Sequence, residues 1–522
     1  MKPLGSKESI EATSSFLPPD TYTDGVTAEE LLAWSQPRAD SEVVFRPLLT
    51  RQERLILEGY NFVDAHAGFG KAELPFRAGS IPLKWQLILE TLREGGIPIH
   101  PQVPLFIKIS NDAPKRYQAG IMVDTLENFS DGTVFIDGIN AQGLSNNPDI
   151  AASKAIGEAL ERYLLTVYRR KDLRFASIRT LRKKHEVILD PMLYPQFTEE
   201  QIRYFPDRLL TEDKTLGWVR GKSLLDNKPT WLPAQMVYWN YAFEYNGYRE
   251  PMIMEPNTNG AGAHFTRTRA LLSGLRELIQ RDAFLLFWLH RVAPPRIDPT
   301  TIQDAESSKL LTEFARCAIR VEICDLTIDT KEPVIVVGLI DESGKGPALC
   351  IAAGCHRDLE LAIQGALQEV LACYQSGRYN TLEQMLPEVY RAFFSEGVGQ
   401  RERLTLAANP DRISEYLWFF TGTLQPMVTG AKNSLTSEEE LQDILAVFRE
   451  KHWPVYSYEV AHPLLKKLGY VVTHVIAPHL LSLYLNEMNA PLGYLRLTKD
   501  FPQEKIGNMN KDILNPVPHP FP

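Results

Sequence analysis

Two distant stretches of the chain carry the same short string of side chains that can bind a metal ion and a phosphate group. In each string an acid is followed by two residues, an acid or its amide, and an arginine. The strings are Glu158, Glu161 and Arg162, and Glu277, Gln280 and Arg281. Carboxylate oxygens are the ligands that Mg²⁺ prefers, and the guanidinium group matches phosphate oxygens. The repeated string therefore indicates a site for a metal-bound phosphate.

Both strings lie in long helical patterns, and a third pattern carries one more acid. The apolar periodicity predicts helices over about 148–171, 267–290 and 359–376, with Glu369 in the third. Asn147 can cap the first helix, and the proline after it stands where a helix tolerates proline. Apolar residues surround the acids, so burial is predicted, and a buried carboxylate is costly unless it is paired or bound to a cation. Taken singly, each Glu–Arg pair could also be an ordinary surface pair.

The rest of the chain has an α/β pattern. Strands are predicted over 133–138, 334–341 and 471–478. The segment PLKWQLILETLREGG indicates an amphipathic helix closed by two glycines. Residues 1–70 mix short polar stretches with one short helical pattern, and we predict that they form an N-terminal extension or docking arm.

Composition and charge argue against two classes of partner. The 522 residues include 44% hydrophobic and 23% charged residues, and the formal net charge of −9 disfavours non-specific binding to nucleic acid. The sequence has no apolar stretch of signal-peptide length and no run of the roughly 20 apolar residues that a membrane span needs. Five cysteines without a metal spacing indicate reduced thiols. We therefore expect a cytoplasmic protein that binds neither nucleic acid nor a membrane.

The chain ends in LNPVPHPFP, with proline at alternate positions from Pro516 to Pro522. Alternate prolines favour a polyproline II rod that has few N–H donors and little entropy left to lose. Such a rod can lie in an apolar groove and bring its terminal carboxylate, or the imidazole of His519, to a fixed point. The alternative is a ligand for a proline-recognition domain.

Six segments, in order along the chain, resemble the motifs of YcaO-domain proteins, in particular those that form azolines and azoles in modified peptides. They are GLSNNPDIAASKAIGEALERY, WLPAQMVYW, NTNGAGAHFTRTRALLSGLRELIQRDAF, GCHRDLELAIQGALQEV, LGYVVTHVIAPHLLSLYLNEMNAPLGYLRL and the terminal PHPFP. The resemblance covers residues 130–522 and extends more loosely toward residue 80. No single motif is decisive, but six in the family's order argue against a chance match.

The resemblance implies a YcaO-like α/β fold over residues 71–522, with mixed sheets and three long helices that converge on a nucleotide and magnesium site. It implies ATP and Mg²⁺ as cofactors and peptide-backbone amides as substrates. In the family's reaction a Cys, Ser or Thr side chain attacks the preceding amide carbonyl. The oxygen of the hemiorthoamide that results takes the γ-phosphate of ATP, and loss of phosphate leaves an azoline. The motif-bearing part would be 130–522, ending in the proline-rich tail 516–522.

The resemblance also suggests roles for individual residues. Those expected to bind ATP are Lys154, Glu158, Arg162, Glu277 and Arg281. Those expected to bind Mg²⁺ are Glu161, Glu277, Gln280 and Glu369. In the resembled enzymes the tail reaches toward the active site, so the expected catalytic residues are Pro522, through its carboxylate, and His519.

Several positions depart from the family's pattern. Gln142 stands where a lysine is frequent, Lys154 replaces a small residue, His264 and Phe265 replace a Gly-Asn pair, Arg269 replaces an acid, Gln280 replaces the second acid of its motif, and Gly365 replaces a polar or basic residue. Arg269 matters most, because it puts a positive charge where a magnesium ligand is expected. The loss of two anionic ligands should weaken metal binding. Lys154 and Arg269 could instead contact the phosphates directly.

Three functions are compatible with these features. The first is the ATP-dependent cyclodehydratase of a ribosomal-peptide-modifying complex, acting on a precursor peptide that carries a leader. It would need a separate leader-binding partner of the activating-enzyme type. The second is a non-catalytic YcaO-like scaffold or peptide-binding subunit with a degenerate ATP site, which the departures favour. The third uses sulfide or an amine as the nucleophile, which the proline tail disfavours. The peptide, the cyclised side chain and the oligomeric state, a homodimer included, stay open.

Overall fold

The computed structural model describes most of the chain after residue 82. The described ranges are 83–99, 105–109, 114, 116–128, 134–168, 172–239, 241–245, 248–377, 390–428, 433–506 and 514–522. The arm predicted over residues 1–70 lies outside them, so the division of the chain near residue 70 stays a prediction. Within the described ranges no helix is long and apolar enough to cross a membrane.

Helices and strands alternate over much of the described chain. The helices are α1 (Leu83–Glu94), α2 (Pro148–Leu164), α3 (Ile178–Lys183), α4 (Glu199–Tyr204), α5 (Arg267–Leu289), α6 (Ala305–Arg316), α7 (Leu359–Gly377), α8 (Gln400–Ala408), α9 (Ser437–Glu450), α10 (Pro463–Leu468), α11 (Leu495–Thr498) and α12 (Gln503–Ile506). The strands are β1 (Phe106–Ile109), β2 (Tyr117–Asn128), β3 (Val134–Ser145), β4 (Arg174–Ser177), β5 (Thr215–Ser223), β6 (Pro229–Pro233), β7 (Glu244–Tyr245), β8 (Tyr248–Arg249), β9 (Ala261–His264), β10 (Arg296–Ile297), β11 (Ile319–Asp325), β12 (Val334–Asp341), β13 (Leu349–Cys355), β14 (Leu424–Gln425), β15 (Tyr456–Glu459) and β16 (Val471–Ile476).

Three larger sheets each supply one strand that leads directly into a long helix. One sheet has the order β1-β2-β3, a second has the order β13-β12-β11-β10-β14, and the third has the order β4-β5-β15-β16-β9 with β6 beside β5. All neighbours are antiparallel except β10 and β14, and β7 with β8 forms a separate ribbon. Strands β3, β9 and β13 precede helices α2, α5 and α7. The mixed sheets and the three long helices agree with the α/β fold predicted from the sequence.

The predicted elements differ from the observed ones mainly at their ends. Helices α5 and α7 lie within one residue of the predicted bounds, and Asn147 caps α2 as predicted. However, α2 ends at Leu164 and not near residue 171. The Thr166 hydroxyl donates to the Tyr163 carbonyl at 2.6 Å, which satisfies an acceptor of the last turn without a further turn of helix.

Strand β3 is longer than predicted, and the added part, GINAQGLS, contains two glycines and several polar residues. These residues are typical of a loop when they are read alone. They form a strand because β2 pairs with β3 along its whole length, from Tyr117 opposite Ser145 to Asn128 opposite Val134. The tertiary partner overrides the local preference in this half of the strand.

Helix α5 lies in the core, and this position decides how deeply its polar residues are buried. It packs against β9, β16, β12, β13 and α9, and apolar residues on nearly all of its faces are buried. Among its polar residues, Asp282 is buried in an ion pair with Arg496 (2.7 Å). Burial of both charges requires such pairing. A helix with this environment can hold polar side chains in place only where each has a partner.

Glycines allow each of the three helices to approach its preceding strand closely. A Cβ on Gly143 of β3 would lie 2.0 Å from the Ala151 carbonyl oxygen of α2. The equivalent distances are 2.1 Å from Gly262 to the Ala270 oxygen and 2.1 Å from Gly354 to the Ala362 oxygen. In each unit a glutamate follows the glycine at the same spacing: Glu158 after Gly143, Glu277 after Gly262 and Glu369 after Gly354. The same local construction therefore places three acids.

We expect Gly262→Ala to destabilise the fold, because the new methyl group would meet a backbone carbonyl that cannot rotate away. Overpacking of this kind costs about 1–3 kcal/mol. The matched control is Gly365→Ala on α7, where nothing lies within 4 Å of an added Cβ and alanine favours the helix by about 1 kcal/mol. Thermal unfolding should show a lower midpoint for the first variant and an unchanged or higher midpoint for the second. Equal midpoints would contradict the role of close approach.

Candidate active site

Glu158 and Glu277 are held in the same way on their two helices. One carboxylate oxygen of Glu158 accepts the backbone N–H of Gln142 at 2.8 Å, and the other pairs with Arg162 at 2.6 Å. One oxygen of Glu277 accepts the backbone N–H of Gly260 at 2.9 Å, and the other pairs with Arg281 at 3.3 Å. Each acid therefore accepts a backbone N–H from the segment before its helix, in β3 or just before β9, and pairs with the arginine one turn further along, which fixes its direction.

Acids from all three helices act on one another electrostatically. Burial raises the pKa of Glu161 to about 8, and repulsion by Glu277 and Glu158 adds to the effect. Burial also raises the pKa of Glu369, with further repulsion from Glu158, while Arg281 and two other cations oppose the shift. Such repulsion acts between carboxylates that lie near one another, and Glu369 lines one cavity together with Glu158 and another together with Glu277. The structure thus brings together the acids that the sequence places on three separate helices.

The donor set fits a magnesium ion that shares its ligands with a phosphate. Among the described residues no three or more His, Cys, Asp or Glu form a ready metal-binding group. Magnesium, however, is usually bound by one or two carboxylates together with substrate phosphates and water, not by a cage of protein ligands. Glu161 has a raised pKa, and its carboxyl group makes no hydrogen bond or ion pair within the described part of the chain, so a cation beside it would favour its ionised form.

Two cavities meet at this cluster. One, of about 820 Å³, is lined by residues of α5 that include Arg269, Glu277, Gln280 and Arg281. The other, of about 510 Å³, is lined by Gln142, Glu158 and Arg162 from the β3–α2 unit. Lys154, Glu369 and Pro522 line both. Each helix therefore contributes an acid to an open space, α2 and α5 also contribute basic groups, and the C-terminal residue lines both spaces.

Lys154 and Arg269, the two basic residues that depart from the family's pattern, form only a few long hydrogen bonds among the described residues. Lys154 Nζ donates to the Leu144 carbonyl at 3.3 Å and to Gln368 at 3.1 Å. Burial lowers the pKa of Lys154, and Glu369 opposes this shift. Arg269 is exposed, and its Nε lies 3.4 Å from the Ser437 hydroxyl. Neither cation forms an ion pair with the acid cluster among the described contacts, so both can turn toward a ligand in the cavity.

The other departures have structural roles that the sequence did not indicate. The amide oxygen of Gln280 accepts a bond from Arg281 at 3.2 Å. Gln142 contributes its backbone N–H to Glu158, and Phe265 packs edge-on against Tyr470, with ring centroids 5.0 Å apart. Gly365 leaves space open on the wall of the larger cavity. These residues therefore shape the site without adding charge to it.

The cysteines near the site are poor candidates for nucleophiles. Cys350 and Cys373 line the smaller cavity and Cys355 lines the larger one, and all five cysteines are free. Burial raises the pKa of Cys350 to about 12, with Asp341 adding to the shift. A thiol with a raised pKa stays protonated, and the thiolate is the reactive form.

The proline-rich tail returns to α5 and ends beside the acid cluster. The Phe521 ring is buried, with the Arg281 guanidinium carbon 4.4 Å from its centroid and the Phe284 ring 4.7 Å away. The next residue, Pro522, lines both cavities. Phe521 therefore fixes the end of the chain on the same arginine that holds Glu277.

The tail is bound mainly through its carbonyl groups, as expected for a segment rich in proline, which lacks an N–H. Trp288 Nε1 donates to the Val517 carbonyl at 3.1 Å, and the Tyr390 hydroxyl donates to the Pro516 carbonyl at 3.1 Å. Asn515 donates its backbone N–H to the Leu289 carbonyl at 2.7 Å. These contacts hold the tail along the end of α5.

His519 lies deeper than the cavity walls. Its ring is fully buried, its Nε2 is 2.6 Å from Arg403 Nη1, and it packs edge-on against Tyr484. Burial and Arg403 lower the pKa of His519 well below its usual value, so the ring is neutral. This position favours a role in anchoring the tail, and the catalytic role expected for His519 stays a prediction.

Sequence reasoning missed several residues that build the site. Gly143, Gly262 and Gly354 share one spacing to their glutamates, which a search for that spacing would have found. His474 and Arg403 carried no such signal, because each acts on a segment that is remote in the chain. His474 reaches the loop before β9, and Arg403 reaches the tail.

Comparisons with known proteins agree with this geometry. The family model described as YcaO cyclodehydratase, ATP- and Mg²⁺-binding, matches residues 142–481. An uncharacterized protein in the tfuA 3′ region of Rhizobium leguminosarum bv. trifolii is 24% identical over 259 residues, which cover 48% of this chain and 58% of that protein. An uncharacterized protein of Methanothermobacter thermautotrophicus is 30% identical over 186 residues, covering 35% and 46%. This chain therefore spans about half the length of these relatives.

Solved structures share the fold at low sequence identity. A heterocyclase in complex with substrate and cofactor has a TM-score of 0.64 and 17% identity, covering 83% of this chain and 57% of that one. YcaO from Methanopyrus kandleri bound with AMPPCP and Mg²⁺ has a TM-score of 0.52 and 17% identity, covering 76% and 90%. Since the family model matches well over half of the chain, this protein belongs to the YcaO family.

Proposed function

We propose that this protein is the ATP-dependent cyclodehydratase component of a ribosomal-peptide-modifying complex and converts Cys, Ser or Thr residues to azolines. One observation carries the proposal. Acids from α2, α5 and α7 repel one another beside two arginines, at cavities whose shared wall includes the last residue of the chain. Concentrated negative charge of this kind suits a metal-bound nucleotide.

The residues divide into those for the metal and those for the phosphates. Glu161, Glu277 and Glu369, with the Gln280 amide, would hold Mg²⁺ through oxygen atoms. Arg162, Arg281 and Lys154 would hold the phosphates, with Glu158 and Glu277 orienting the arginines. Mg²⁺–ATP supplies the phosphoryl group that converts the amide oxygen into a leaving group. The protein's own part is to position the peptide and neutralise charge.

The tail would supply the base. Attack of a side-chain thiol or hydroxyl on an amide carbonyl releases a proton, and a positioned base accelerates that step. The carboxylate of Pro522 belongs to a residue that lines both cavities. Phe521, clamped on Arg281, keeps it in place. In this proposal the negatively charged carboxylate of Pro522 would lie beside the arginines and Lys154 of the site.

The substrate and partners follow from the proposed reaction. The substrate is a precursor peptide that carries a leader, and we infer a separate leader-binding partner of the activating-enzyme type. Homodimerisation and a cytoplasmic location belong to the same proposal.

A non-catalytic YcaO-like subunit is the second candidate. It is favoured by Arg269 and Gln280, which replace expected acids, and by the absence of a ready metal-binding group among the described residues. In this case the protein would bind the peptide or a partner without turnover. The release of phosphate separates the two candidates.

We expect the purified protein to release phosphate from ATP when it is given Mg²⁺, the precursor peptide and the leader-binding partner, which genes beside its own should encode. Glu158→Gln and Glu277→Gln should each lower the rate by at least about 100-fold, because each removes a charge that orients a phosphate-binding arginine. The control is Glu244→Gln, which breaks an exposed pair with Arg249 far from the cavities. No release by the wild type would favour the non-catalytic candidate.

The tail prediction is refined by the structure. Removal of the last five residues would delete the buried His519 and Phe521 together with Pro522. We therefore expect deletion of Pro522 alone to abolish azoline formation and to change the unfolding midpoint only slightly. Mass spectrometry of the peptide checks the first point, because each ring that forms removes one molecule of water. Pro516→Ala, at an exposed tail position, should retain turnover. Full activity without Pro522 would discard the terminal carboxylate as the base.

The raised pKa of Glu161 predicts a pH-dependent stability. Between its usual value and about 8 the folded protein binds more protons at this group than the unfolded chain does, so the free energy of unfolding falls as pH rises. Glu161→Gln removes this effect. In the absence of metal and nucleotide, its unfolding midpoint should exceed that of the wild type near pH 8, and the difference should shrink toward about pH 5. A difference in midpoint that is independent of pH would show that the pKa of Glu161 is not raised in the folded protein.

A further inference from the structure

One peptide group links a buried histidine to an acid of the proposed site. The N–H of Gly260 donates to Glu277 at 2.9 Å. The carbonyl of the same peptide group, which belongs to Asn259, lies 2.8 Å from Nε2 of His474. A peptide group is planar, so fixing its carbonyl also fixes the direction of its N–H.

The backbone conformation and the close packing at position 260 require a glycine. Gly260 has a φ of +91°, and a Cβ there would lie 2.2 Å from the Val475 carbonyl oxygen. Its own carbonyl accepts the N–H of Val475 at 2.8 Å. The Asn259 side chain holds the other side of the loop through Ser482 (2.9 Å). The peptide group between Asn259 and Gly260 is thus held on both sides, and His474 is the side chain that contacts its carbonyl.

The units that carry Glu158 and Glu277 differ in what holds the backbone N–H that bonds the glutamate. Gln142, the donor to Glu158, lies inside the β2–β3 ladder opposite Gly120. Gly260 lies before the first residue of β9, Ala261, which is paired with His474 itself. The strand ladder therefore holds the first donor, whereas the second needs a side chain that reaches back from β16.

The His474 ring is placed to act only through these contacts. It is buried, and its Nδ1 lies 2.7 Å from the Val237 carbonyl oxygen. Both ring nitrogens therefore face oxygens that can only accept, and the neutral ring, which carries one N–H, donates to one of them at a time. Burial lowers the pKa of His474, while the two carbonyl groups and Glu277 act in the opposite direction.

We propose that His474 is a positioning residue for nucleotide and metal binding, which holds the Asn259–Gly260 peptide group through its Nε2–H and thereby aims Glu277 at the cavity. The proposal rests on the proposed function for the identity of the ligand. The linkage from His474 to Gly260 and Glu277 stands on the geometry alone. It assigns to β16 a part in building a site whose acids all lie on helices.

Two substitutions separate the contacts of the ring. His474→Gln can place its amide nitrogen near the position of Nε2 and so keep a donor to the Asn259 carbonyl. His474→Asn, with one methylene fewer, can place its nitrogen near the position of Nδ1 and keep only the donor to Val237. Both replace a buried ring with a smaller amide, so they share the cost of the cavity and differ in the bond that matters.

The first readout needs no nucleotide. In protein labelled with ¹⁵N-glycine, the amide of Gly260 should exchange slowly with solvent in the wild type and in His474→Gln. In His474→Asn its exchange should be at least about 10-fold faster, because Glu277 and the peptide group lose their common alignment. The amide of Gly143 in the first unit is the internal control and should be unaffected. Equal protection of Gly260 in both variants would overturn the proposal.

The second readout is binding of the magnesium complex of a non-hydrolysable ATP analogue, measured by calorimetry. Its affinity should fall by about 10–100-fold in His474→Asn and stay near the wild-type value in His474→Gln. If the wild type itself does not bind the analogue, the proposed function fails, while the exchange of Gly260 still decides the positioning role. If Gly260 exchange rises in His474→Asn but the affinity is unchanged, the positioning role in ligand binding is wrong. Should His474→Asn not fold, the wild type and His474→Gln are compared with Glu277→Ala, which removes the acceptor of the Gly260 N–H. The Gly260 amide should stay protected in His474→Gln and lose protection in Glu277→Ala, and loss of protection in His474→Gln would overturn the proposal.

Discussion

Repulsion among clustered carboxylates is the constraint on which the rest of this structure depends. Desolvation raises the pKa of Glu161 and Glu369, and repulsion from neighbouring members of the set Glu158, Glu161, Glu277 and Glu369 adds to both shifts. A fold gains nothing in stability from such an arrangement, and ordinary packing would disperse the charges. The acids stay together because Glu158 and Glu277 are each held by a backbone N–H and an arginine. The carboxyl group of Glu161, which has no such partner among the described residues, is then available to a cation.

The close approach of strand and helix makes that arrangement possible. Gly143, Gly262 and Gly354 let three helices lie against the strands that precede them. The acids then emerge at the same height on each helix, because the spacing from glycine to glutamate is the same in all three units. The third unit departs from the other two, since Cys373 follows Glu369 where Arg162 and Arg281 follow theirs. Glu369 therefore depends on cations supplied by the other helices.

The tail completes the site from the opposite end of the sequence. Its prolines offer few donors, and the protein binds it through carbonyl groups, the His519 ring and the Phe521 ring. Arg281 contacts both Glu277 and Phe521. Such sharing couples the position of the C-terminus to the position of an acid on α5. A change in either would be felt by the other.

The sequence by itself determined the α/β class, the three long helices and the acids that they carry, because helical periodicity and buried charge are local signals. It also indicated that the tail has a specific purpose. The end of α2, the full length of β3 and the burial of His519 needed the tertiary structure, since β2, Thr166 and Arg403 decide them from outside the local pattern. The convergence of Glu158, Glu277 and Glu369, and the reach of His474 to Asn259, were likewise decided only in three dimensions. Distances between residues far apart in the chain depend on how the sheets pack, and no local pattern encodes that packing.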